Sequence, residues 1–422
     1  MGWTSGACLL WIVLMGLPFS STFAASVLTL NDLLLLGLGH NPAVLAAREQ
    51  VSASEGLAAA ARAYPNPEIS GLTGRGKEQN VPAPLSGSVY SFALHQPLEY
   101  PGLRNPRIQA AEASVQAADA ARRAFENDAL AAIKLAYYDL LRRQDEAQAS
   151  EEDLQITQKI RDSIALRYHV GESPRFDLIT AETERLNALK NHDMALLRTR
   201  QARIALRQAV GQSIPEETQI VGTLPDAVVM PPLATLQEQL NARNPELQQV
   251  QAENQAAESR VDWQKAQRLP QWALVAQHDA DPTLSSSRVG VAVTIPLWDQ
   301  HSGPVLQAQA ELARSRHVVD SRRQWLGESL SAAYERFDSA RNQVSLLENE
   351  LLVQATEAKN VAEAAYRHGE RGILDWLNAQ RTYRIARSEL ITARYDLATV
   401  IVEIDRLLAI PPSVLSSNAP TP

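Results

Sequence analysis

Two short stretches decide the fold: Tyr168-His169-Val170-Gly171-Glu172, followed by Asp177-Leu178 and Ala181-Glu182, and Tyr366-Arg367-His368-Gly369-Glu370, followed by Asp375-Trp376 and Ala379-Gln380. They are two copies of one pattern about two hundred residues apart, and self-similarity at a fixed displacement marks a duplicated architecture. Other landmarks recur in the same order. Asn41-Pro42-Ala43-Val44 corresponds to Asn244-Pro245-Glu246-Leu247, Gln96-Pro97-Leu98 to Ile295-Pro296-Leu297, and Pro106 with Gln109-Ala110 to Pro304 with Gln307-Ala308. The expected organisation is a first repeat over 26–221, a Pro-rich linker over 222–232 and a second repeat over 233–410. A signal peptide over 1–25 precedes them, and a disordered tail over 411–422 follows.

Each repeat reads as the same series of elements. A helix opens at an Asn cap with Pro in its first turn, where the missing N–H of Pro does no harm, and runs to about Pro65 or Pro270. Two strands follow. Val289, Val291, Val293 and Ile295 alternate with Arg288, Gly290, Ala292 and Thr294, and Tyr90, Phe92 and Leu94 alternate with Ser91, Ala93 and His95. This is the period of a strand with one apolar and one wet face. The partner strands are placed at 67–73 and 271–278. Long helices then begin at Asn105-Pro106 and Ser302-Gly303-Pro304 and run to Gly171 and Gly369, interrupted only by Gly327. Their length is on the order of 100 Å, too long for an ordinary globular domain. Val344, Leu347, Leu351, Ala355, Ala358, Ala362 and Ala365 in one, and Leu130, Ile133, Tyr137 and Leu140 in the other, step by three or four as a coiled-coil seam does. Second helices return over 175–210 and 373–409.

Composition narrows the function. The chain has 422 residues, a formal net charge of -8 and only 5% aromatic residues. Interspersed charges of both signs leave no basic face for a phosphate backbone, which excludes nucleic acid as a partner. Ala7 to Leu17 form an apolar core, followed by Pro18 and the small residues up to Ala25, and this reads as an export signal cleaved after Ala24 or Ala25. No other run reaches the roughly 20 apolar residues of a membrane helix. Cys8, the single cysteine, falls inside the signal at the start of its apolar core, with most of that core following it, so neither disulfides nor a lipidation box is expected. The sequence has no phosphate loop, nucleophile elbow or zinc-type His pair, so an enzyme is not expected and neither is a cofactor. His169 and His368 read as solvated residues beside the two glycines, not as metal ligands.

Four strands of this length match tilted membrane strands whose apolar face meets lipid and whose small polar face meets water. Four strands cannot close a barrel, and hydrocarbon tolerates no open edge, so a membrane sheet of this kind must be shared among subunits.

The duplicated order, the segments around Gly171 and Gly369, and the strand-to-helix joints resemble the TolC family of outer-membrane efflux proteins over nearly the whole mature chain. The joint Gln96-Pro97-Leu98-Glu99-Tyr100-Pro101-Gly102-Leu103-Arg104, with its partner Pro296 to Gly303, is similar to the CzcC-type branch that serves heavy-metal resistance. The resemblance implies a fold that is mainly α with a small β part. It further implies a homotrimer whose twelve strands form one transmembrane barrel and whose helical hairpins form a long periplasmic tunnel. A periplasmic adaptor and an inner-membrane pump of the proton-driven RND type are the implied partners. It also places a gate at the tunnel tip. Asp177 and Arg371 match one polar link between neighbouring helix pairs, and Tyr366 matches a second, whose usual partner is replaced by Phe176. Asp375 matches one position of an acidic ring, and Asn378 stands where the second acid would be, so the ring carries half the usual charge. Gly171 and Gly369 fall at the adaptor-docking tips. A multidrug or organic-compound channel of the same family, and a periplasmic coiled-coil adaptor, are the alternative readings.

Overall fold

The computed structural model describes residues 27–410 apart from 78–81, 84, 217 and 226–228. The expected signal peptide and C-terminal tail lie outside the described residues. The first repeat comprises β1 (Val27–Leu28), α1 (Leu30–His40), α2 (Pro42–Arg62), β2 (Glu68–Lys77), β3 (Ser86–Leu98), α3 (Pro101–His169), α4 (Arg175–Val210) and β4 (Gln219–Ile220). The second comprises α5 (Leu233–Arg243), α6 (Pro245–Ala266), β5 (Gln271–Ala280), β6 (Ser285–Thr294), α7 (Ser302–Leu346), a π-turn (Leu347–Leu351), α8 (Leu352–Arg367) and α9 (Ile373–Leu408).

The duplicated Asn-Pro pairs do more than start helices. Asn41 Oδ1 accepts the N–H of Ala43 at 2.9 Å, while Asn41 Nδ2 donates to the carbonyl of Ala209 at the far end of α4, also at 2.9 Å. Asn244 does the same at both ends: its Oδ1 accepts from Leu247 N and its Nδ2 donates to Leu407 O, each at 2.8 Å. One side chain thus caps the start of a short helix and satisfies an orphan carbonyl at the end of the returning long one. Each Asn is preceded by a short helix, α1 or α5, that the sequence reading did not foresee. Leu33 and Leu34 of α1 and Leu236 and Leu240 of α5 are fully buried against the long helices.

The first long helix starts earlier than expected. Helix α3 begins at Pro101, where the carbonyl of Tyr100 accepts from Leu103 and Arg104, and Pro106 lies inside it. Pro106 removes one helical bond, to Gly102, near the end where the helix joins the sheet. In all, from Pro101 to His169, α3 runs for 69 residues, about 100 Å. Its return partner α4 buries Ala181, Ala188, Ala195 and Ala202, a seven-residue repeat of small side chains. A strict heptad period makes two helices coil left-handedly around each other, and alanine lets them approach closely. The expected seam residues Ile133, Tyr137 and Leu140 are buried and Leu130 is half-buried against them.

The second long helix departs from a continuous α-helix. Through α7 the buried residues follow a heptad pattern: Leu326, Leu330, Ala333, Phe337, Ala340, Val344 and Leu347. Continued in phase, that pattern would bury Leu351, Ala358 and Ala365. Instead Leu351 is 40% exposed and Ala358 is exposed. The inward face passes to Leu352, Ala355, Lys359, Ala362 and Tyr366, each one residue later. The π-turn at 347–351 absorbs that extra residue, since its wider turn holds one residue more than an α-turn. The expected seam therefore holds at Val344, Leu347, Ala355 and Ala362 and fails at Leu351 and Ala358.

Strands β2, β3, β5 and β6 form one antiparallel sheet in that order, so the two repeats join where β3 pairs with β5. A second, two-stranded parallel pair, β1 with β4, ties the beginning of the first repeat to its end. The four-stranded sheet is open: β2 and β6 are its edges.

Candidate functional site

Register alone sorts the sheet into two faces, because paired residues point the same way. Ile69, Leu94, Ala276 and Val289 lie in one row across the four strands. Leu98, Trp272 and Val293 share their face toward the helices, and Phe92 and Tyr90 share it toward the loops. Ile69, Phe92, Trp272 and Val289 of these, with Val291 on the same face, are all more than 40% exposed, a contiguous apolar surface of the kind that marks contact with lipid or protein. From Tyr90 to Leu98 the apolar band extends about 25 Å along the strand. The two strands read from sequence as alternating, 90–95 and 288–295, thus place their apolar sets on the same side.

The opposite face carries mostly small and polar residues, Ser70, Gly74, Ser91, Ala93, Gln277, Asp279, Arg288, Gly290, Ala292 and Thr294 among them, with Leu72, Val89 and Val275 as its apolar exceptions. Asp279 is its organising group. It accepts from Ser91 Oγ at 2.6 Å and Gln277 Nε2 at 3.0 Å and pairs with Arg288, which ties β3, β5 and β6 together. Where the sheet meets the helices, Arg107 pairs with Glu99 and donates to the carbonyls of Ala61 and Ala63, while Tyr100 Oη donates to Pro270 O at 3.3 Å. The joint sequence singled out above is therefore a fixed corner between sheet and bundle.

At the other end of the bundle the two duplicated tips have the same geometry. Gly171 and Gly369 adopt φ of 81° and 76°, the left-handed region that favours glycine. Glu172 N donates to Arg167 O and Gly171 N to Tyr168 O, and Glu370 N donates to Ala365 O and Gly369 N to Tyr366 O. Both helices thus end in the same C-terminal hydrogen-bond motif. Just past each turn, Asp177 and Asp375 occupy the first turn of the returning helix, where the backbone dipole favours a negative charge.

The gate residues are divided within one chain. Asp177 accepts from Ser173 Oγ at 3.2 Å, and Arg371 lies 3.7 Å from Asp375 with both side chains more than half exposed. Asp177 and Arg371 do not pair inside the protomer. Tyr366 is 7% exposed and stacks on Trp376 with ring centroids 5.0 Å apart, while the Arg167 guanidinium sits over its ring, 5.0 Å from the centroid. Burial raises its phenol above the ordinary tyrosine value, with the nearby Asp177 charge adding to the rise and Arg167 opposing it. Tyr366 thus belongs to a tip core with Ile160, Ile164, Ala181 and Ile373 that joins both hairpins. Phe176 is 63% exposed, and Asn378 is exposed one turn beyond Asp375. His169 and His368 are exposed, and among the described residues no group of His, Cys, Asp or Glu is arranged to hold a metal.

Sequence reasoning missed the polar seam between the hairpins above that core. Glu184 of α4 bridges Arg381 and Arg384 of α9, and Glu152 of α3 pairs with Arg387 at 2.6 Å. Beside them Asp153 is largely buried, and desolvation pushes its carboxyl up to about 6 against the pull of Arg384 and Arg387. Further up, Lys134 Nζ and Asp405 Oδ2 form a buried ion pair at 2.8 Å between α3 and α9. The only signal in sequence was an unpaired Lys or Asp on an otherwise apolar helix face.

Known proteins share this architecture. A family model described as "Outer membrane efflux protein" matches residues 33–212 and 236–409, one match per repeat. Cobalt-zinc-cadmium resistance protein CzcC of Cupriavidus metallidurans is 26% identical over 389 residues, covering 91% of each chain. Nickel and cobalt resistance protein CnrC of the same organism is 26% identical over 321 residues, covering 72% of each. The crystal structure of the outer membrane protein VceC from Vibrio cholerae superposes with a TM-score of 0.72 at 18% identity, covering 90% of this chain and 95% of that one. The described residues include no helix long and apolar enough to cross a membrane; the exposed apolar sheet face is the surface suited to lipid. With one family match on each repeat, together spanning most of its length, the chain belongs to the outer membrane efflux protein family.

Proposed function

We propose that three copies of this chain close their four-stranded sheets into one twelve-stranded outer-membrane barrel, continued by a helical tunnel into the periplasm. The observation that carries the reading is the sheet itself: an exposed apolar face, an opposite face made mostly of small and polar residues, and two open edges. Such a sheet is stable in hydrocarbon only if each edge finds a partner. The conduit is passive. An inner-membrane pump of the RND type and a periplasmic adaptor load it, and the adaptor engages the tips at Gly171 and Gly369. At rest the tips are held together by contacts between neighbouring hairpins. Asp177, left with only a serine partner in its own chain, and Arg371, only loosely associated with Asp375, are free to pair across that boundary. Phe176 supplies an apolar contact where a polar link to Tyr366 is absent. One Asp375 per chain, with Asn378 beside it, gives the mouth a three-charge ring, a modest attraction for cations.

The cargo is heavy-metal cations, a reading that rests on the likeness to CzcC and CnrC over most of both chains. Growth of a clean deletion strain across divalent metals, monovalent copper and silver, and organic toxicants tests it. Sensitivity confined to metals and restored by the intact gene is the expected result. Sensitivity to organic compounds alone would assign the channel to organic efflux.

A further inference from the structure

The lipid-side face of the sheet changes character beyond Tyr90. Strand alternation carries the row of Ile69, Gly71 and Thr73 on to Arg75 and Lys77, and across from these, on β3, lie Ser88 and Ser86. All four side chains are exposed. None makes a hydrogen bond or ion pair with another described residue, although elsewhere in the chain most arginines are paired. Two cations about 7 Å apart along the strand, each with a hydroxyl opposite, thus stand just outside an apolar band and face the same way as it does. They lie at the loop end of the sheet, away from the helices, which is the end that faces the outer leaflet once the helices extend into the periplasm.

We propose that Arg75, Lys77, Ser86 and Ser88 form a binding site for a phosphate group of the phosphorylated glycolipid in the outer leaflet. The inference rests on the barrel reading above, which sets this face against lipid. Charge complementarity names the occupant. A basic residue beside an anionic headgroup layer attracts it, Arg and Lys both bind phosphate through charged hydrogen bonds, and serine hydroxyls complete such a site. A cation on a lipid-side face is tolerated only at this level, where its charge meets headgroups instead of acyl chains.

The test uses the full chain reconstituted in phosphatidylcholine vesicles with bisphosphorylated lipid A, with the same lipid dephosphorylated, or with phosphatidylglycerol. Lipid retained after mild detergent extraction is counted by native mass spectrometry, and channel conductance is recorded from the same vesicles. The wild type should retain the phosphorylated lipid A over both others, and Arg75→Gln with Lys77→Gln should weaken that preference about fivefold each and roughly 25-fold together, with conductance unchanged. Ser86→Ala with Ser88→Ala should weaken it less. Equal retention by the double Gln variant, or equal capture of phosphatidylglycerol by the wild type, would overturn the site while conductance upholds the barrel. A wild type that neither conducts nor appears as a trimer in the native mass spectra would instead remove the barrel, and the site with it.

Discussion

Removing one residue from the π-turn should be harmless, whereas removing one residue below it should not. Deleting Asn349 leaves Glu348 paired with Arg394 and forfeits only a 3.3 Å contact from Asn349 to Ser345. It also brings Leu352, Ala355, Lys359, Ala362 and Tyr366 into phase with Leu347 on an unbroken α-helix, because the inward face below the turn lags by one position. The expected change in stability is within about 0.5 kcal/mol, typical of a surface alteration. Deleting Ala358, an exposed residue below the turn, rotates everything after it by about 100° relative to the residues before. Tyr366 then leaves Trp376 and Arg167. Loss of a buried aromatic side chain costs about 3–5 kcal/mol, including roughly 1 kcal/mol for the ring stack. Thermal unfolding of the detergent-extracted protein, with protease cleavage near Gly171 and Gly369, reads both. Equal destabilisation by the two deletions would refute the assignment of the π-turn as an inserted residue.

Other substitutions probe separate contacts. Asp405→Ala should cost about 3–5 kcal/mol by stranding the buried Lys134 ammonium, and adding Lys134→Met should recover most of that, measured by chemical unfolding. Asn244→Ala removes a buried cap and a clasp on Leu407 O together, so it should cost about 2–3 kcal/mol, more than the ~1 kcal/mol of an ordinary cap. Asp153 should give stability an acid-side dependence. The folded chain holds its proton up to about pH 6, whereas an unfolded aspartate releases it near pH 4. The folded state therefore binds more protons between those values, and stability falls as pH rises through that window. Arg384, Arg387, Glu152 and Lys359 face this carboxyl; Asp153→Asn should flatten the profile in melts from pH 4 to 7 and raise stability above pH 6. Gly369→Ala should cost ~1 kcal/mol at the tip through its positive φ, with no steric clash.

What was legible in the sequence was local or repeated. Asn41 and Asn244 announced their helices because capping acts within three residues, and the faces of β3 and β6 followed from their alternation. The glycine turns were legible twice over, once per repeat. The unforeseen features depend on partners far along the chain. The donation from Asn244 to Leu407 spans 163 residues, and the meeting of the two repeats at β3 and β5 has no sequence marker. The π-turn was concealed by adjacent leucines: Leu351 continues the heptad on paper, while Leu352 takes the inward position in the structure. Likewise Pro106 looked like a helix start, and Pro101, one residue after Tyr100, took that role instead. At the tip, Tyr366 was readable as a special residue from its place in the repeat. Its burial against Trp376 was not, because both lie on helix faces that look half polar.

Closure of the barrel is open to direct measurement, since the sequence contains a single cysteine, Cys8, ahead of the first repeat. One cysteine is placed on the wet face of each edge strand, Ser70→Cys on β2 with Gly290→Cys, Ala292→Cys or Thr294→Cys on β6, and cells are oxidised before denaturing electrophoresis. A ring of three predicts, for the pairing in register, a disulfide-linked ladder that stops at three chains, with reduction returning the monomer. A chain that stays monomeric with every pairing, or a ladder that passes beyond three, would contradict a closed trimeric conduit.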